Sequence, residues 1–72
     1  MFQPTREQVE AQRKLYPVGC RVELVHMDDV QAPPIGTTGE VLYVDDIGSV
    51  HVRWSNGSGL AAAFGVDKIV RI

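Results

Sequence analysis

The sequence predicts an all-β domain, five short strands closing into a barrel behind a short N-terminal α-helix. Three observations carry this. Short runs of β-branched and aromatic residues recur from Arg21 onward, each bounded by glycine, proline or aspartate. Asn56-Gly57 between two such runs is a strong hairpin signal. A stretch of good helix formers with its own start signal stands ahead of the first strand.

The helical stretch begins with Thr5 and, three residues later, Gln8, the spacing of a capping box in which each side chain satisfies a free backbone N–H of the other. It runs from Arg6 to about Leu15 and stops at Tyr16-Pro17, because a residue before proline avoids helical geometry. Its apolar side is thin (Phe2, Val9, Ala11 and Leu15), so it needs a surface to lie against, the barrel or a partner. This divides the chain into a helical segment, 1–16, and a β-domain, 17–72.

In the first strand, Arg21 to His26, Val22 and Leu24 share one face. Asp28 to Pro34 is a loop, since Pro33-Pro34 removes two backbone donors. Gly36 and Gly39 bracket Thr37-Thr38 as a tight re-entry into the second strand, Glu40 to Val44. Asp45-Asp46-Ile47-Gly48 is a hairpin loop with Gly48 at positive φ. Ser49 to Trp54 is the third strand, Leu60 to Phe64 the fourth and Lys68 to Ile72 the fifth, with Gly65-Val66-Asp67 as a short turn between the last two. Five strands joined in this order match an SH3-like barrel, whose closure protects strand edges.

The Asn56-Gly57 turn also fixes register. A plain two-residue turn would pair Trp54 with Gly59 and point Leu60 and Phe64 outward, although burying each is worth about 1.5–3 kcal/mol. A glycine bulge at Gly57 or Gly59 shifts the pairing by one residue and turns both inward. The outer face is then His51, Arg53, Ala61 and Ala63. Trp54 is expected to close the core at the hairpin end, with a glycine opposite making room.

Composition narrows function. The chain has 72 residues, a formal charge of −2 and a single cysteine, Cys20. Seven cations scattered among nine carboxylates give no strong basic face, which weighs against a nucleic-acid-binding role. One cysteine excludes an internal disulfide and a thiolate-rich zinc site. No apolar leader or membrane-length run is visible, so a cytoplasmic protein is expected.

Asp28-Asp29 and Asp45-Asp46 are expected to cap turns rather than bind a hard cation, because adjacent strand residues point to opposite faces. His26 and His51 lie in different strands with no nucleophile in a recognisable setting, and Gly36-x-x-Gly39 lacks the lysine of a phosphate loop. No catalytic residue, metal or cofactor is expected. Tyr43 differs: Val41-Leu42-Tyr43-Val44 has no polar alternation, so both faces of that strand should be covered, the outer one by the N-terminal helix, a second copy or a partner.

The ordered string Pro33-Pro34-x-Gly36-Thr37-x-Gly39, Val44-Asp45-Asp46-Ile47-Gly48, Val50-His51-Val52-x-Trp54-x-Asn56-Gly57 and Gly65-Val66-Asp67 resembles a small bacterial family of unknown function. That family is common in phages and mobile elements. The Val-x-Val-x-Trp-x-Asn-Gly segment is also similar to the Mib/HERC2 domain, an SH3-like barrel that binds peptides. Ser55 stands where both families commonly carry an acidic residue, so no role of that carboxylate transfers. The resemblance implies the fold and a mobile-element context.

The expected function is a non-enzymatic module, monomer or weak homodimer, that binds a protein or peptide. The binding surface is a groove near Tyr16 and Tyr43, or the face of His51, Arg53, Ala61 and Ala63. Gly36, Gly39, Gly48, Trp54, Asn56 and Gly57 are structural. One alternative is nucleic-acid binding through clustered Arg21, Arg53, Lys68 and Arg71; another is inhibition of a host protein, suggested by the family context.

Overall fold

A computed structural model describes residues 3–72; Phe2, expected on the apolar side of the helix, lies outside them. Helix α1 spans Arg6–Leu15, and the capping box forms as read: Thr5 Oγ1 accepts from the Gln8 N–H at 3.1 Å, and Gln8 Oε1 accepts from the Thr5 N–H at 2.8 Å. The helix lies on the protein itself. Val9 is buried, Gln12 Nε2 donates to the Gly48 carbonyl at 3.4 Å, and Arg13 donates to the Val44 carbonyl at 3.3 Å and to Asp46 at 2.9 Å.

Four antiparallel strands follow: β1 (Arg21–His26), β2 (Thr38–Val44), β3 (Val50–Trp54) and β4 (Lys68–Arg71). They form one sheet in the order β3-β2-β1-β4. The core is Tyr16, Val22, Leu24, Val41, Val44, Val50, Val52, Trp54 and Ala62. Alternation puts Val22 and Leu24 of β1 and Val50, Val52 and Trp54 of β3 on the inner face.

The expected fourth strand, Leu60–Phe64, is absent; the described residues form an open sheet of four strands, not five. The register nevertheless follows the glycine bulge. Gly57 has φ +90°, its N–H donates to the Trp54 carbonyl at 3.0 Å, and the Trp54 N–H donates to the Ser58 carbonyl at 3.1 Å. Val50 and Ala62 then exchange both backbone bonds, at 2.9 and 2.8 Å. This places Leu60 opposite Val52, where a ladder should continue. It stops there because side chains take both backbone groups of Leu60. Its carbonyl accepts from Trp54 Nε1 at 2.8 Å, and its N–H donates to Ser58 Oγ at 3.3 Å. Leu60 and Phe64 are half-buried, while Ala62 enters the core.

Gly39 lies within the strand and not in the turn before it. It is a β2 residue without positive φ, paired with Trp54 and packed beneath β3. A Cβ there would lie 2.5 Å from Val52 Cγ1 and 2.8 Å from the Arg53 carbonyl oxygen. The glycine that makes room opposite Trp54 is therefore Gly39. Gly36 and Gly48 do take positive φ, +91° and +82°.

Between the Val50–Ala62 bridge and β4 the sheet stays open. A cleft of about 250 Å³ remains there, lined among others by Tyr16, Val25, Val50, Phe64, Lys68 and Ile69.

Candidate interaction face

The outer face of β2 and β3 is organised by a second bulge. Val41 pairs with Val52 and Tyr43 with His51, leaving Leu42 as the extra residue. One inserted residue reverses the alternation, so Val41 and Val44 both point inward while Leu42 and Tyr43 both point outward. Their exposures follow: 0% and 8% against 40% and 51%. The unbroken apolar run therefore marks a bulge that puts two apolar side chains side by side on the surface, and not a strand covered on both faces.

Tyr43 lies flat on His51, ring centroids 4.2 Å apart and planes 9° from parallel. His51 Nε2 is 2.8 Å from Asp45 Oδ2. The other oxygen of Asp45 accepts from the N–H groups of Ile47 and Ser49, at 3.1 and 2.9 Å. Partial burial raises the Asp45 carboxyl, but the His51 bond and the two backbone bonds outweigh it and hold the group below its ordinary value. One carboxylate thus closes the β2–β3 turn and fixes the His51 ring. Beside this stack, Arg53 pairs with Glu40 at 3.0 Å across the same two strands.

The candidate residues separate into distinct places. Tyr16 belongs to the core; its hydroxyl donates to the Ile69 carbonyl at 3.3 Å, and burial, with Cys20 nearby, raises its phenol above the ordinary value. It does not share a groove with Tyr43. His51 and Arg53 stand on the outer face, and the bulged register sets half-buried Ala61 opposite His51. Ala63 lies beyond the last bridge, its N–H held by Asp67 Oδ2 at 2.8 Å, so it belongs to the following turn. Asp29 caps its own turn through the Gln31 N–H at 2.7 Å, whereas Asp46 reaches Arg13.

Two residues of importance escape a reading of the sequence. Leu42 completes the apolar part of the face, and its only signal is the unbroken run around it. Arg13 ties the helix to the hairpin end, for which a lone arginine in a helix gives no signal.

In the family comparison, the model of a domain of unknown function, DUF4314, matches residues 5–72. The chain belongs to the DUF4314 family. Comparisons with curated proteins and with solved structures gave no match. The matched span includes α1, so the helix is part of what the DUF4314 model describes.

No helix among the described residues is long and apolar enough to cross a membrane.

Proposed function

We propose that this DUF4314 domain is a small SH3-like barrel acting as a non-enzymatic interaction module that binds a protein or peptide on the outer face of β2 and β3. The observation that carries this is the Leu42 bulge. It places Leu42 and Tyr43 together in solvent, where a small domain short of core has every reason to bury them. Tyr43 is stacked on His51 and His51 is held by Asp45, so the ring is ordered before any partner arrives and little side-chain freedom remains to be lost on binding.

The barrel reading is supported by the strand order and by the 58–62 segment. That segment bonds to β3 at Ser58 and Ala62, extending the order to five segments whose two outer members both line the open cleft. Nucleic acid is the weaker partner, because Arg53, one of the four cations it needs, is held by Glu40.

Selection of binding peptides from a random displayed library on the immobilised domain tests the reading. At least one sequence should bind saturably, and Tyr43→Ala should weaken it at least about tenfold, the loss of one well-placed aromatic contact, while the variant stays folded at the assay temperature. Recovery of no reproducible binder, or equal binding by Tyr43→Ala, would sink it.

A further inference from the structure

A second surface lies at the opposite end of the sheet. β4 is an outermost strand and pairs only with β1. The Ile72 N–H donates to the Arg21 carbonyl at 3.0 Å, and the register continues Val22 with Arg71, Glu23 with Val70 and Leu24 with Ile69. Bonded and non-bonded pairs alternate along an antiparallel ladder, so Val22–Arg71 and Leu24–Ile69 are non-bonded pairs. Leu24 agrees: it donates to Thr37 and accepts from Gly36, both on its other side. The backbone N–H and C=O of Ile69 and Arg71 therefore point away from β1. The Tyr16 hydroxyl occupies the Ile69 carbonyl. The Ile69 N–H and both backbone groups of Arg71 have no partner among the described residues.

The side chains on this edge choose the partner. Lys68 and Arg71 are exposed, and neither has a carboxylate within ion-pair distance among the described residues; Arg71 reaches only the Leu15 carbonyl, at 3.5 Å. Glu23, the carboxylate of β1, lies opposite Val70 and makes an ion pair with neither. A second copy suits the edge poorly: joined through Ile69 and Arg71 and centred on Val70, it brings its own Lys68 and Arg71 beside the first pair and supplies no carboxylate to either. The cleft of about 250 Å³ beside Lys68 and Ile69 leaves room along the strand.

From the open backbone groups and the two unpaired cations, we propose that the β4 edge accepts an extended acidic segment of a partner protein as an added antiparallel strand. Lys68 and Arg71 lie three residues apart and so on opposite faces of the sheet. Two carboxylates three apart on the added strand meet both. Ile69 and Arg71 supply the main-chain bonds, and Tyr16 marks where the free edge ends. This deepens the interaction-module reading but uses a different surface, so either can fail alone.

The test is an amide-resolved NMR titration of the full chain with a blocked heptapeptide carrying glutamate at its second and fifth positions and valine or threonine elsewhere. A second peptide has lysine in place of both glutamates. The acidic peptide should shift the Ile69, Arg71 and Ile72 amides saturably, and the lysine peptide should not. The exposed double variant Lys68→Glu/Arg71→Glu should weaken the acidic peptide about tenfold, the sum of two rim ion pairs, and gain the lysine peptide. The proposal is overturned by the absence of shifts at millimolar peptide, by equal binding of both peptides, or by unchanged affinity in the double variant. Shifts confined to Leu42, Tyr43 and His51 overturn it too, while leaving the outer-face reading standing.

Discussion

The two sides of β3 meet their neighbours differently. Toward β2 the ladder runs from Trp54 to Val50 and absorbs an extra residue at Leu42 without ending. Toward the 58–62 segment an equally well-formed turn opens the pairing, yet the contact is reduced to Ser58 and Ala62. Both turns use a glycine at positive φ and an Asx cap, Asp45 in one and Asn56 in the other. Turn chemistry therefore does not decide how far a strand extends. Competition for the backbone does: the Trp54 indole and the Ser58 hydroxyl claim Leu60 before Val52 can pair with it.

Substitutions at Trp54 break this contrast most strongly. The ring is 1% exposed at the centre of the core, so Trp54→Ala should cost about 3–5 kcal/mol in urea unfolding. Trp54→Phe keeps an aromatic ring but removes the indole donor, and the lost bond adds about 1 kcal/mol to the change in packing. It should also free the Leu60 carbonyl for Val52. Slower hydrogen exchange at Val52 in Trp54→Phe is the specific sign that the indole prevents the strand; faster or equal exchange would contradict that explanation.

Gly39→Ala attacks the other side of β3. Its Cβ meets the Arg53 backbone oxygen at 2.8 Å, which a rotamer change cannot relieve. The expected loss is about 1–3 kcal/mol, as for other overpacked sites, with a lower thermal midpoint. At Gly59 a Cβ meets nothing within 4 Å, so Gly59→Ala is the matched control and should change stability far less.

What could be read from the sequence was what neighbouring residues decide. The Thr5/Gln8 box, the helix end at Tyr16, the positive φ of Gly48 and the Gly57 bulge all depend on residues a few positions apart. The Gly57 bulge was legible because the alternative register exposed Leu60. What could not be read needed partners distant in the chain. Gly39 looks like a turn residue until Trp54 is placed over it, and Leu60 looks like a strand residue until the same indole reaches its carbonyl. For the candidate face, His51 and Arg53 were legible from alternation in β3. Leu42 was not, because an unbroken apolar run is compatible with either a bulge or two-sided burial. Nor does an aromatic before proline show whether it faces solvent or, like Tyr16, the core.

The smallest expected effect tests the link between turn and face. Asp45→Asn retains an oxygen for Ile47 and Ser49 but removes the negative charge beside His51. The folded Asp45 carboxyl titrates below its unfolded value of 3.8, so between those two values the unfolded chain binds more protons. Its stabilising contribution is therefore fully present above about pH 4 and is lost as pH falls through the folded value. Urea midpoints for both proteins from about pH 6 to about pH 2 isolate it, because the other carboxylates are common to both. The gap between the wild-type and Asp45→Asn curves should shrink over the acid part of this range. Parallel curves would mean that Asp45 holds the turn by its oxygen alone and that its charge does nothing for the His51 ring. The stacked Tyr43–His51 pair would then owe its order to ring contact within the β2–β3 ladder, and the outer face would keep its shape independently of pH.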